Sequence, residues 1–189
     1  MGTRASGSRV VGVQGARLSA MAPAYRRSTR SVDLAELPPD MRLALTEHAE
    51  TQHLRLADDL PAWLTRSENP PSTNRIGRLL GRRANSADPD SEHQTLVLLH
   101  PTQLIVVTSG AERGVTALSV PLAQATVAPG SALTVGGVAT PDDGYSFSVT
   151  GFAGHEGRPG SFYLGMGADE AGLECRTRVR DAITAARNP

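Results

Sequence analysis

Thr95-Leu96-Val97-Leu98-Leu99-His100-Pro101-Thr102-Gln103-Leu104-Ile105-Val106-Val107-Thr108 is the stretch that decides the fold. Two apolar runs, the second rich in β-branched residues, flank a turn with proline at its first central position, so the segment reads as a β-hairpin. A half-exposed strand alternates apolar and polar residues, whereas runs this continuous are covered on both faces. The hairpin is therefore expected at the centre of the core.

Toward the C-terminus, Val115–Val120, Tyr145–Val149 and Ser161–Leu164 read as further strands. Asp142-Asp143-Gly144 marks a turn, and Gly151–Gly160 a glycine-punctuated hairpin loop. Asp169–Arg187 then reads as an amphipathic helix. Its acids, Asp169 and Glu170, lie in the first turn and Arg178, Arg180 and Arg187 toward the end, as the helix dipole favours. Gly172, Cys175, Val179, Ala182 and Ala186 form one stripe at spacings of three and four, with Leu173 and Ile183 beside it. Burying Leu173, Val179 and Ile183 at about 1.5–3 kcal/mol each makes this helix integral to the fold.

Toward the N-terminus, Ala62-Trp63-Leu64-Thr65 reads as a short first strand with Trp63 as a core anchor. Glu68–Glu92 is rich in Asn, Pro, Ser, Gly and Arg and reads as a long loop holding a short helical insert, Ile76–Leu80. Loops of this length inside a compact domain are functional or mobile. Asp33 to Leu60 reads as helical: Pro38-Pro39-Asp40 is a start signal with Asp40 as N-cap, Leu43, Ala44, Leu54 and Leu56 mark the buried face, and Pro61 ends it. Residues 1–32 carry Arg4, Arg9, Arg17, Arg26, Arg27 and Arg30 with several serines and no acid. An organelle transit peptide has this composition, but a disordered basic tail, or a true start at Met21, is the plainer reading.

The composition is that of an ordinary soluble globular protein, 39% apolar and 20% charged. Aromatics are scarce at 4%, so the core must be built from Leu, Val, Ile and Ala. Nineteen acids balance nineteen arginines, and lysine is absent, which points to GC-rich, bacterial coding and weakens the meaning of any single arginine. Whole-molecule charge announces no nucleic-acid partner beyond the basic tail. Cys175 stands alone, which fits a reducing cytoplasm. No apolar run approaches the roughly 18 residues of a membrane span.

Several of these segments share a pattern with one family. Leu98–Val107 resembles the second-to-third-strand hairpin of bacterial pleckstrin-homology-like domains. Ser119-Val120-Pro121-Leu122 with Ala125-Thr126-Val127 resembles a later strand of that plan, and Ser161–Gly165 running into Ala168–Ala186 its last strand and closing helix. The resemblance spans residues 62–187 and lacks the tryptophan that better-known members carry in the final helix. It implies an α+β fold, an antiparallel sandwich or barrel of about seven strands closed by a C-terminal helix. The chain then divides into a basic tail (1–32), an additional N-terminal helix (33–60) and the pleckstrin-homology-like domain (61–189, with its long loop at 68–93). The resemblance implies a binding scaffold without its own chemistry.

The chemistry-bearing candidates support that expectation. Gly165-Met166-Gly167 sits between strand and helix, but the third glycine of a dinucleotide fingerprint would fall at Glu170 and no second strand follows. His48 and His53 are five apart and diverge around a helix, whereas a zinc helix needs them on one face. Glu50 and His53 share a face, yet Cys175, His93, His100 and His155 add no ligand spacing. No G-x-S-x-G elbow surrounds Ser109, Ser131 or Ser161. His155-Glu156 with Arg158 lies in a loop that collects such residues anyway, and His100 reads as a turn residue bonding backbone. No cofactor, metal or catalytic set is expected.

The remaining lead is Arg75-Ile76-Gly77-Arg78-Leu79-Leu80-Gly81-Arg82-Arg83. As a helix it gathers Ile76, Leu79 and Leu80 on one side and Arg75, Arg78 and Arg82 on the other. Its plain reading is a loop that folds these aliphatics onto the domain and pairs its arginines with Asp88, Asp90 and Glu92. The functional reading makes Arg75, Arg78, Arg82 and Arg83 a contact surface. The expectation is a non-catalytic cytoplasmic module that engages a protein partner through this loop or a sheet edge. The alternative is peripheral binding to anionic lipid at the inner membrane face, through the loop and the basic tail.

Overall fold

The computed structural model describes residues 25–72, 76, 79, 82–130, 133–135, 138–140, 144–154 and 158–188. Five strands form one antiparallel sheet in chain order: β1 (Arg26–Ser31), β2 (Ala62–Glu68), β3 (Glu92–Leu99), β4 (Gln103–Gly110) and β5 (Gly114–Pro121). A second antiparallel sheet joins β6 (Thr126–Pro129), β9 (Phe147–Ala153) and β10 (Pro159–Leu164) in the order β10-β9-β6. A two-stranded ribbon pairs β7 (Leu133–Val135) with β8 (Val138–Thr140). The two long helices among the described residues are α1 (Pro39–Thr51) and α2 (Glu170–Arg187). Among the described residues, no ladder joins the sheets into a closed barrel.

The central hairpin sits where its sequence puts it. Leu96, Val97, Leu98, Leu104, Ile105, Val106 and Val107 are all fully buried, because the large sheet is covered on both faces. Residues of one parity (Trp63, Val97, Leu104, Val106, Val120) pack with Phe147, Val149 and Leu164 of the small sheet and with Cys175, Val179 and Ile183 of α2. The other parity (Leu64, Leu96, Leu98, Ile105, Val107) packs on Met41 and Leu45 of α1. The order of layers is helix, sheet, then small sheet with helix.

α2 begins one residue after Asp169, whose side chain accepts from Gly172 N at 2.8 Å as an N-cap. Its buried stripe is Gly172, Cys175, Val179 and Ile183, while Leu173 stays 38% exposed and does not join the core. Gly165 and Gly167 make a close passage between strand and helix: a Cβ on Gly165 would stand 2.5 Å from Arg27 Nε.

The N-terminal region departs from expectation. α1 is shorter than residues 33–60, and its N-cap is Pro38, with Pro39 at the first helical position. Asp40 instead accepts a hydrogen bond from the Ser109 hydroxyl at 2.8 Å. The helix ends at Thr51 because His53 turns to φ 55°, letting Leu54 N reach back to Ala49 O at 2.8 Å. Leu43 is 60% exposed, so the buried face is Met41, Leu45 and Ala49, four apart. Residues 26–31, assigned by the sequence to the tail, form strand β1 and pair with β2 from Arg26↔Glu68 to Ser31↔Trp63. Residues 1–24 of that tail lie outside the described residues.

β1 holds the edge with Thr29 engaged on its outer side. Thr29 N donates to Asp169 Oδ2 at 2.7 Å, and Gly167 N donates to Thr29 Oγ1 at 2.8 Å. One carboxylate therefore caps both the last helix and the first strand.

Candidate functional site

The four arginines singled out by the sequence meet different fates. Arg75 and Arg78 lie outside the described residues. Arg82 and Arg83 are exposed and stand in a narrow neck, where Ser72 N donates to Arg82 O at 2.8 Å and Ala84 N to Pro70 O at 2.8 Å. Buried Asn69 closes this neck: its side chain donates to Asn85 O (2.8 Å) and accepts from Asn85 N (3.0 Å). Arg83 Nη1 adds a bond to Asn69 O at 3.0 Å.

The plain reading of the loop does not hold for the residues described. Asp88 and Asp90 are taken by Arg113, and Glu92 is held by Arg66 through two bonds of 2.6 and 2.5 Å. Ile76 and Leu79 both have helical backbone and are 68% and 88% exposed, so neither is buried in the core.

At the root of this loop the sheet opens into a cleft of about 370 Å³. Its origin lies in strand register. Thr29, Thr65, Thr95, Thr108 and Thr116 stand directly opposite one another, one on each strand of the large sheet. On one side of this hydroxyl row the face is apolar core, with Trp63, Val97 and Val106. Two residues along each strand on the other side, the row becomes Arg27, Ser67, His93 and Gly110. Phe162 and Tyr163 of β10 form the opposite wall. Arg27 is held over the rings of Tyr25 (4.7 Å) and Tyr163 (5.9 Å).

Asp88 ties the cleft together. Its Oδ2 accepts the Tyr25 hydroxyl at 2.5 Å, and its Oδ1 accepts Asp90 N at 3.0 Å and a guanidinium N–H of Arg113. Arg113 Nε reaches Asp90 at 2.5 Å, Glu112 N donates to Asp90 at 2.7 Å, and Asn85 Nδ2 donates to Tyr25 at 2.7 Å. Gly110 leaves room for the Asp90 carboxylate, which would collide with any Cβ there. Burial opposes ionisation of Asp88 and Asp90. The bonds from Tyr25, Arg113 and backbone N–H groups outweigh it and hold both below the usual carboxylate range. Burial, then the Asp88 bond, push the Tyr25 hydroxyl well above its ordinary value.

His93 lies edge-on to Tyr25, with ring centroids 5.5 Å apart. Its Nδ1 approaches Asp88 Oδ2 to 3.2 Å without the alignment of a hydrogen bond. Burial first, then Arg113, lower its pKa, with Asp88 opposing. Asp88, His93 and Ser67 are the residue types of a hydrolytic triad in adjacent positions. Ser67, however, is 1% exposed, and no hydrogen bond joins it to His93. The arrangement is a clamp with one open imidazole face.

The other candidates resolve simply. His48 Nε2 bonds the Ser119 hydroxyl at 2.9 Å, and His100 Nδ1 accepts from Thr102 N at 3.2 Å inside its turn. The Cys175 thiol is buried, and burial pushes its pKa up. His155 and Glu156 lie outside the described residues. Among the described residues, no three His, Cys, Asp or Glu gather as a metal would require.

Sequence reasoning missed Tyr25, Asp88, His93 and Arg113, which come from four separate segments. Asp88-Pro89-Asp90 before a strand and Arg113 in a three-residue turn were the only local signals. Comparison with protein-family models, with curated proteins and with solved structures finds no match to this chain.

Proposed function

We propose that this chain is a non-catalytic binding module of pleckstrin-homology-like plan that docks peripherally on an anionic membrane through Arg75, Arg78, Arg82 and Arg83. The sequence of five antiparallel strands, three antiparallel strands and a closing helix supports that plan, with β1 and α1 as additions to it. The observation that carries the docking reading is the exposure of Ile76 and Leu79 within an arginine-rich stretch of sequence whose neighbouring acids are already paired. Residues 69–87 hold four arginines and no acid. Near an anionic surface each arginine contributes about 1 kcal/mol, and the two aliphatics add apolar area on insertion. The association is weak and screened by salt. The tail adds Arg4, Arg9 and Arg17 and enters the fold at Tyr25, beside the root of the same loop. Such a module works at the inner membrane face.

Co-sedimentation with phosphatidylcholine vesicles, with and without phosphatidylserine, tests this. Binding at low salt to the anionic vesicles alone, lost in Arg78→Glu/Arg82→Glu and weakened in Ile76→Ser/Leu79→Ser, supports it. No binding at low salt removes it.

A second reading, a protein partner, rests on β5. This sheet-end strand carries no charged residue from Gly114 to Pro121, and charge is the usual protection of an edge. Thr116→Lys should block a partner there and leave vesicle binding unchanged.

A further inference from the structure

We infer that the cleft between the large sheet and β10 is a binding site for a small organic monocarboxylate, gripped by Arg113 Nη1 and His93 Nε2. This inference stands apart from the docking of the loop.

Three observations converge on it. The first is space: about 370 Å³ falls within the range of ligand pockets and holds a small molecule with an apolar body. The second is open donors. Arg113 commits Nε to Asp90 and Nη2 to Asp88, which fixes the guanidinium plane and leaves Nη1 uncommitted. The His93 ring packs edge-on to Tyr25 with Nδ1 3.2 Å from Asp88, and its Nε2 makes no hydrogen bond. The third is the lining, where Phe162 and Tyr163 offer an aromatic wall and Thr95 and Thr108 a floor of hydroxyls. A carboxylate held at one end with its body against the rings uses all three.

Charge selects the monoanion. The groups facing His93 are Asp88 and Asp90 from the loop, Glu92 beside it on β3 in its pair with Arg66, Arg113 from the β4–β5 turn, and Arg27 and Tyr25 at the start of β1. Asp88 and Asp90 are both committed to Arg113, and Arg27 lies over the rings of Tyr25 and Tyr163. One arriving negative charge is balanced by one proton on His93. A phosphate dianion would leave one charge uncompensated. Binding therefore takes up a proton.

The test uses the full chain and reads the His93 ring signals by NMR while benzoate, phenylacetate or octanoate is added between about pH 5.5 and 8. The expected result is a saturable shift of the His93 signals. Affinity should fall about tenfold per pH unit above the free His93 pKa, the signature of one linked proton. His93→Gln, with its fold checked by circular dichroism, should remove that pH dependence and weaken binding. No saturable shift with any of the three acids overturns the inference. So does an affinity that is flat with pH, or inorganic phosphate binding more tightly than the carboxylates. The decisive signal is read in the unaltered protein, so the inference stands or falls there even where a His93 variant fails to fold.

Discussion

Removing the Asp88 carboxylate, whose side chain is only 4% exposed, would take the acceptor from the Tyr25 hydroxyl and leave Arg113 with Asp90 alone. Asp88→Ala removes several bonds to a charged acceptor and should cost about 3 kcal/mol, the upper end for such a bond. Tyr25→Phe removes one charge-assisted bond and should cost about 1.5–3 kcal/mol. Urea unfolding followed by circular dichroism measures both. Acid should act in two stages. The folded protein holds the His93 pKa down, so the unfolded chain binds that proton more readily, and stability falls as pH drops below the ordinary histidine value near 6.5. His48, also lowered by burial, contributes in the same window. Asp88 and Asp90 are held below the usual carboxylate range, so their contribution is lost only as pH falls through about 4 and below. Thermal melts across this range should show both stages, and His93→Gln should flatten the upper one.

Among the elements, the link between β1 and α2 offers the sharpest test. Asp169→Ala removes the helix cap and the acceptor of Thr29 N together, so its cost should exceed the roughly 1 kcal/mol of an ordinary cap. Hydrogen exchange at Thr29 should rise selectively. The hairpin at residues 95–108 and α2 were legible in the sequence because their apolar periods have a single solution. β1 was not. Arg26–Ser31 contains no apolar residue and becomes a strand through its ladder to β2, with Asp169 and Gly167 engaging its outer side at Thr29. α1 was half legible, since Leu43 and Met41 are equally apolar neighbours and only packing against Leu96 and Ile105 selects Met41. The arginine-rich loop showed itself through composition. The cleft at its root stayed hidden, because the Asp88 knot depends on strand register and on a turn that brings Arg113 back across the sheet.

At the scale of the molecule, both helices are structural layers. Met41 and Val179 are fully buried on opposite faces of the large sheet. Met41→Ala should cost about 2–5 kcal/mol, and Val179→Ala should also lower the urea midpoint. A normal midpoint after either change would contradict the layered core. The first strand and the last helix also share a carboxylate, with Thr29 and Asp169 separated by 140 residues. During synthesis, at about 5–20 residues per second, the outer rim of β1 therefore waits roughly 7–28 s for its cap. Throughout that interval the nascent chain presents an open strand, and a ribosome stalled before Asp169 would hold it exposed to chaperones and proteases.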